Sequence, residues 1–505
     1  MNRLPITRAL ISVSDRTGLV EFARRLHGAG IEIVSSGGTA SALSEADIPV
    51  TEVADITGAP EMLGGRVKTL HPDIHGGILA DLGDEAHRSD LAERGIEPFG
   101  LVVVSLYPFE SAVAAGAPDS EVLENIDIGG PTLIRAAAKN HAWVATVVSP
   151  DQYAEIADQI DEGGTTASTR EGMAREAFFH TAQYEAAIVN WLEKDEADHL
   201  ALALSKVSDA RYGENPHQPA ALYAAGVSKG WWAAADVVQG KAMSFNNYAD
   251  ADAAWRLAND LPNGSAAIVK HMNACGAATG ELMHGAFRMA WACDPLSAFG
   301  GVVALNGQLD RETALEISQY FVEVVIARSI SDEARAVLAP KENLRVLVAP
   351  APSSHDLNVR TIDDGFLVQR RDSVHVGTEE WEAKSRQPTT DELHNLELAW
   401  VIAAHTKSNA IVVVNDGAAV GVGAGDQSRV GAAKRALAKA GKRSAGAVAA
   451  SDGFFPFRDG VDTLALAGIT AIVEPGGSIR DGEVVAAAQE HDVAIMFTHR
   501  RHFRH

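Results

Sequence analysis

A chain of 505 residues is too long for one hydrophobic core, and 46% hydrophobic with 22% charged residues is ordinary globular composition, so two or more domains are expected. A formal net charge of −24 excludes a basic nucleic-acid surface, and any anionic ligand must be held by locally placed cations and helix amino termini. The two cysteines, Cys275 and Cys293, exclude a disulfide framework, the amino terminus lacks signal features, and no apolar run nears the ~20 residues of a membrane span, so a cytoplasmic protein without membrane or nucleic-acid partners is expected.

In chain order, Ala9–Val13 reads as a strand, Ser14–Gly18 as a turn and Leu19–Leu26 as an amphipathic helix. Strand Ile31–Val34 follows, and Ser35-Ser36-Gly37-Gly38-Thr39 opens the next helix. Strands at Leu101–Val104 and Val144–Val148 continue the alternation, which predicts a parallel sheet with crossover helices. The loops Ser12–Gly18 and Ser36–Thr39 each follow a strand and open a helix, where free N–H groups favour a phosphate. Each alone is an ordinary turn and cap; two at one sheet edge point to a ligand.

Gly64-Gly65-Arg66-Val67-Lys68-Thr69-Leu70-His71-Pro72 sets two cations and a hydroxyl after a glycine pair, with no helix or strand period, which suits a site. His71 and His75 stand four apart, but Pro72 and Gly76-Gly77 argue against a helix, so a metal is the weaker reading. Tyr107-Pro108-Phe109 and Asp127–Pro131 also follow strands, while Lys139 by itself reads as a surface lysine. A helix from about Arg170 to Trp191 carries Phe178, Ile188 and Trp191 on its core face, and the charged stretch Glu193–His199 ends the domain. The expected domains are 1–199 and 200–505.

In the second domain Arg211–His217 mixes aromatic, polar and turn residues as surface loops seldom do. Lys270-His271-Met272-Asn273 follows the apolar run Ala266–Val269, and a histidine beside a lysine suits the neutral imidazole of a general base. The stretch from Leu305 to Arg386 offers few turn signals. Thr389 begins a capping box for a helix bearing Leu393, Leu396 and Trp400. Strand Ile411–Val414, turn Asn415–Gly417 and a glycine-rich loop Gly421–Gly425 follow. Strands Ile469–Val473 and Val493–Phe497 are separated by the Glu474–Gly477 turn and a helix, and no short repeat is evident. The terminal Arg501–His505 would fray unless folded back into a site.

On these residues the chain resembles the bifunctional purine enzymes that join an AICAR transformylase to an inosinate (IMP) cyclohydrolase. The likeness runs from Ala9 to His505, weakest at 159–169 and 305–386. Gly64–Pro72, Asp127–Gly130, Arg211–Gln218, Asp294–Gly301, Phe454–Asp459 and the tail carry it, in family order. It implies an α/β protein: a methylglyoxal-synthase-like cyclohydrolase domain with a parallel sheet, then a transformylase of two cytidine-deaminase-like α/β halves. Those halves have lost their zinc, in keeping with the missing Pro-Cys-x-x-Cys pair.

The resemblance implies that Ser12, Ser14, Arg16, Ser36, Gly37, Gly38 and Thr39 hold phosphate and ribose, with Arg66 and Thr69 also binding substrate. Lys68, Tyr107, Asp127 and Lys139 would surround the reacting ring, Asp127 acting on the carboxamide and one of the lysines on the oxyanion. In the transformylase His271 would be the base, Lys270 the oxyanion or leaving-group partner, and Asn409 the holder of the formyl oxygen or folate. Arg211, Tyr212, Phe455, Asp459, Arg501, Phe503 and His505 would bind substrate, Phe503 by stacking on the imidazole.

The implied reactions move a formyl group from 10-formyltetrahydrofolate to AICAR, giving formyl-AICAR and tetrahydrofolate, and close formyl-AICAR to IMP with loss of water. No catalytic metal is implied, a monovalent cation is allowed, and a homodimer with shared transformylase sites is expected. The competing readings are a chain retaining one activity and a non-catalytic nucleotide-binding regulator. The sequence departs from the family pattern at Ala274 (usually Pro), Asp426 (usually Gln, here with Arg429 as a partner) and Arg16 (usually Lys).

Overall fold

Short aliphatic strands bury best between two helical layers, and the first five do so. In a computed structural model, which describes residues 3–63, 66–193, 198–225, 230–353 and 357–505, the chain divides into two compact units, Met1–Ser205 and Lys206–His505. In the first, β1 (Arg8–Val13), β2 (Glu32–Ser35), β3 (Thr51–Glu52), β4 (Leu101–Ser105) and β5 (Ala145–Val147) form an all-parallel sheet in the order β3-β2-β1-β4-β5. Between them run α1 (Leu19–Gly28), α2 (Gly37–Ser44), α3 (Val53–Thr57), α4 (Pro72–Leu79), α5 (Glu85–Arg94), α6 (Phe109–Ala114), α7 (Asp119–Glu124) and α8 (Gly129–Lys139); α9 (Tyr153–Asp161) and α10 (Ala167–Glu193) follow. Ala9, Ile11 and Val13 face α1 and α9, while Leu10 faces α4, α8 and α10, as the period of two requires. Strand order reverses beside β1, and an open parallel sheet offers its ligand crevice at the carboxyl ends there.

Two expectations need correction here. Pro72–Leu79 is a helix: Pro72 fills its first turn, where a missing N–H costs nothing, and the His71 ring accepts the Asp73 N–H at 3.2 Å. On α10, Ile188 is buried and Trp191 half-buried, but Phe178 is 39% exposed and lies under Arg135. The buried stripe runs through Met173, Ala177, Thr181, Tyr184 and Ile188 instead.

In the second unit a hairpin pairs β6 (Leu204–Ala210) with β7 (Ala220–Ala225). The large sheet then traces one path twice. Its first half contains β8 (Asp236–Gln239), α11 (Phe245–Asp260), the hairpin β9 (Ser265–Lys270) and β10 (Asn273–Thr279), α12 (Met283–Cys293), the short α13 (Pro295–Ala298), β11 (Val302–Leu309), α14 (Arg311–Ser318), β12 (Val324–Ile330), α15 (Asp332–Leu338) and β13 (Arg345–Val348). A separate hairpin, β14 (Leu357–Ile362) with β15 (Gly365–Arg370), intervenes. The second half repeats the order with β16 (Glu382–Ala383), α16 (Thr390–Ala404), β17 (Ile411–Asn415), β18 (Ala418–Gly423), α17 (Arg429–Ala440), β19 (Val448–Ser451), α18 (Asp459–Leu466), β20 (Ala471–Glu474), α19 (Asp481–Glu490) and β21 (Ala494–Phe497).

The twelve strands lie in the order β16-β21-β20-β19-β17-β18-β10-β9-β11-β12-β13-β8, and the halves meet where Ala278 pairs with Ala418. Both halves place an antiparallel hairpin at this seam, then two parallel pairs, then an antiparallel edge strand. Both open on a capping-box helix, from Ser244 and from Thr389. The sequence shows no repeat because the duplication lies in topology, not in letters.

The glycine-rich loop expected at Gly421–Gly425 is largely strand. Gly421 and Gly423 belong to β18, where a Cβ would come 2.1 and 2.0 Å from the carbonyls of Ala436 and Ala432. These glycines serve close helix–strand packing; only Gly425, at φ +64°, is a loop glycine. Among the described residues no helix is long and apolar enough to cross a membrane.

Candidate active sites

In the first unit, the carboxyl ends of β1 and β2 place Ser12, Ser14, Arg16 and Ser36 at one edge. Ser14 and Asp15 donate their N–H groups to the Ser105 hydroxyl at 2.8 and 2.9 Å, joining the β1 loop to β4. Ser36 is the extended N-cap of α2 and makes no side-chain cap bond. A Cβ on Gly37 would lie 2.5 Å from Lys68 Nζ, and one on Gly38 2.5 Å from Arg16 Nη2. Two cations therefore lie over the amino terminus of α2, where the helix dipole already favours an anion. Lys68 also pairs with Glu61 at 3.1 Å.

Thr39 departs from its expected ligand role. It is 5% exposed, and its hydroxyl donates to the Val13 carbonyl and accepts the Val13 N–H, both at 3.1 Å. It fixes α2 to β1, and its oxygen is spent doing so.

Gly64 and Gly65 lie outside the described residues. Arg66 is engaged with Glu124, with Nε and Nη2 donating at 2.9 and 2.6 Å. Thr69 is buried beside Gly129. Asp127, just before α8, accepts the Gly130 N–H at 2.8 Å and further N–H bonds from Tyr107 and Gly129. Burial outweighs those bonds and pushes its carboxyl above the usual range. The Tyr107 ring is 47% exposed beside it.

Lys139 is not part of this group. It is the exposed last residue of α8, roughly 16 Å of helix from the end that holds Asp127. His71 caps α4 and His75 lies one turn on, half-buried; no three His, Cys, Asp or Glu side chains are grouped to hold a metal among the described residues.

In the second unit, His271 and Met272 form the tight turn between β9 and β10, both at positive φ (+53° and +60°) as a two-residue hairpin requires. Asp250 on α11 accepts their N–H groups at 3.1 and 2.6 Å. Lys270 Nζ donates to the Phe299 carbonyl at 2.7 Å. The Asn273 side-chain oxygen accepts the Lys407 N–H at 3.0 Å, tying this hairpin to the segment before β17. A hollow of about 410 Å³ opens here, lined by Lys270, His271, Asn273, Cys275, Leu296 and Lys439 among others.

Asn409 is held at both ends of its amide: the oxygen accepts from Arg429 at 2.7 Å and the nitrogen donates to the Asp426 carbonyl at 2.9 Å. Arg429 also reaches Asp452 at 2.5 Å and Ser451 at 2.7 Å. Asp452, wholly buried, receives the Ala410 N–H and the Ser408 hydroxyl as well. Sequence reasoning missed Asp452; a lone Asp after an apolar strand carries no signal of a hub. Asp426 pairs with Arg435 at 3.0 Å, not with the expected Arg429, and its carboxyl is held low by the Ser428 N–H and Arg435.

The tail is folded back, with alternate side chains in and out. His502, 3% exposed, donates its N–H to the Asp452 carbonyl at 3.1 Å, and its ring meets Asp372 at 2.6 Å. The Arg504 carbonyl accepts the Ser408 N–H at 2.8 Å. Arg501, Phe503 and His505 face outward, and the Phe503 ring lies 4.7 Å from the Arg501 guanidinium and 6.0 Å from that of Arg429. Arg211 lies over the Tyr212 ring, and backbone bonds to Met243 and Phe245 pin both to the start of α11.

Phe455 is also corrected: it is 1% exposed and packs in the core, while its neighbours Phe454 and Phe457 are the exposed aromatics. Asp459 is the exposed first residue of α18.

Residues 137–439 match the family model described as AICARFT/IMPCHase bienzyme, and residues 18–132 match the MGS-like domain. The bifunctional purine biosynthesis protein PurH of Rhodospirillum rubrum is 49% identical over 525 residues, covering 100% of both chains. That of Parvibaculum lavamentivorans is 47% identical over 522 residues, covering 99% of this chain and 97% of its own. That of Mycobacterium marinum is 47% identical over 520 residues, covering 100% and 99%.

Proposed function

Because the chain belongs to the AICARFT/IMPCHase bienzyme family of purine biosynthesis, with formyltransferase and IMP cyclohydrolase activities and a formyl-folate co-substrate, we propose that each of its two units carries one activity. The observation that carries this reading is the meeting of Lys270 and His271, through Asn273 and Lys407, with the segment that holds Asn409 and the tail.

In formyl transfer the AICAR amine is a poor nucleophile, since its lone pair is delocalised into the imidazole. His271 takes its proton as it attacks the formyl carbon of 10-formyltetrahydrofolate. Lys270 stabilises the oxyanion, and as the intermediate collapses the folate nitrogen leaves with the proton that His271 took from the amine. Asn409, its amide fixed by Arg429, offers its remaining N–H to the formyl oxygen. Exposed Leu296 and the Phe299–Phe321 pair, centroids 5.1 Å apart, form an apolar shelf beside Lys270 for the planar folate ring. Phe503 stacks on the imidazole, and Arg211, Tyr212, Asp459, Arg501 and His505 complete the substrate contacts.

In ring closure the carboxamide nitrogen attacks the formyl carbon of the same molecule and water leaves. Holding the near-attack geometry supplies much of the acceleration. The phosphate occupies the amino terminus of α2 under Arg16 and Lys68, with Ser12, Ser14 and Ser36 alongside. Asp127 accepts the amide proton, and Lys68 rather than Lys139 stabilises the oxyanion. We assign the enzyme to the cytoplasm as a homodimer that shares its transformylase sites; light scattering tests the dimer. Burial pushes both cysteine thiols up to about 12, so they stay protonated and inert.

Supplying AICAR and 10-formyltetrahydrofolate should yield IMP; no IMP from active, folded protein overturns the assignment. Gly37→Ala should raise the cyclohydrolase KM by about tenfold, because a Cβ displaces Lys68 and strains a positive φ at a cost of about 1 kcal/mol. Formyl-transfer kinetics of the same variant should not change.

Asp127→Asn should abolish ring closure while the protein stays folded, checked by its Tm. Burial raises the folded-state pKa of Asp127, so its ionised form opposes folding above the unfolded value, and removing the charge offsets part of the cost of the N–H acceptor lost with it. By the same sign, wild-type ring closure should fall as pH drops through that raised value. An unchanged acid limb in Asp127→Asn would remove the residue from the mechanism.

A further inference from the structure

Glu474 ends β20 with no exposed surface. Its Oε2 accepts the Phe455 N–H at 2.7 Å, while Oε1 is buried without a partner. Desolvation pushes the carboxyl up to about 8. The Phe455 N–H bond opposes this shift, Asp481 at the start of α19 adds to it, and Arg429 from α17 opposes it more weakly. Asp452 follows the adjacent β19; the partner on β21 is the uncharged Phe497, with His499 two residues beyond. Burial therefore favours the uncharged acid at Glu474.

What it holds is the loop bearing Phe454, Phe457 and Asp459. Phe455 anchors that loop through its N–H on Glu474 and its ring in the core, where a Cβ on Gly460 would come within 2.4 Å. Arg429, the cation that favours the ionised form of Glu474, is committed to Asp452 and Asn409. We propose that Glu474 is a positioning residue for formyl transfer: it pins the 454–459 loop through the Phe455 N–H and, while uncharged, leaves Arg429 to Asp452 and Asn409. Once ionised, it draws Arg429 toward itself, which loosens Asn409 and the Phe503 platform. The inference rests on the transformylase reading of this unit.

The test compares pH–rate profiles of wild type and Glu474→Gln, with ring closure in the same chain as the internal control. Wild-type formyl transfer should fall roughly tenfold from about pH 7 to about pH 9, the loss expected one unit above the titration midpoint. Glu474→Gln, uncharged at every pH, should match wild type at neutral pH and lack that fall. A variant that falls in step with wild type, or that is already inactive at neutral pH, overturns the proposal. A wild-type-minus-variant infrared difference spectrum should show a protonated carboxyl at neutral pH that disappears on alkalinisation, and an ionised carboxylate at neutral pH also overturns it. A protonated band with no formyl transfer by wild type would instead overturn the function assigned to the unit, and the positioning role with it.

Discussion

His271→Ala should lower formyl transfer by at least ~100-fold, the usual scale for losing a general base, and leave ring closure near wild type. The loss should appear in kcat, since the imidazole acts on a proton that moves only in the transition state. The position has its own complication: His271 sits at φ +53°, where alanine is strained. His271→Asn separates the two effects, because asparagine tolerates that backbone but is no base at neutral pH. If His271→Asn recovers most of the activity, the turn matters and the imidazole does not. Comparable losses in both reactions would remove His271 from the transformylase.

The fold was legible wherever burial imposes a period. The strand–helix alternation of the first unit and the Thr389 capping box follow from patterns that the chain must display in order to bury its apolar faces. The region from Leu305 to Arg386 resisted for opposite reasons. β11, β12 and β13 are buried largely on both faces and show little alternation, while β14 and β15 are exposed on nearly every residue and have no core face to mark.

The sites were legible in their chemistry and less so in their geometry. Gly37, Gly38 and Arg16 fall in the two loops that loop physics sets at one sheet edge, whereas Lys68 stands in a separate segment, and only the backbone path brings it over Gly37. Thr39 and Phe455 stand in site motifs, yet each turns inward, Thr39 beside buried Ala40 and Phe455 between exposed Phe454 and Pro456. A motif gives residue types, and only the local backbone decides which alternate side chain is exposed. Lys139 shows the complementary failure: it is twelve residues from Asp127, and a helix converts that separation into opposite ends of a rod. The hub at Asp452 gathers partners from Ser408 to His502, and no reading of nearby letters could have found it.

Deleting Phe503–His505 should cost formyl transfer ~100-fold or more, with ring closure unchanged, on the scale of losing a substrate-positioning element. Three things go at once. The Ser408 N–H loses its acceptor on Arg504, a loss that costs about 1–3 kcal/mol when the donor is left buried. Arg429 and Arg501 lose the aromatic face between them, which frees Arg501 to rearrange while Arg429 stays bonded to Asp452 and Asn409. The surface on which the imidazole would stack disappears. His502 remains bonded to Asp452 and Asp372, so the hub persists and the protein should stay folded. Phe503→Leu keeps the backbone bonds and removes only the aromatic face, so it should raise the KM for AICAR more than it lowers kcat. Transfer kinetics that survive the deletion unchanged would put the tail outside the site, whatever its contacts with Arg429.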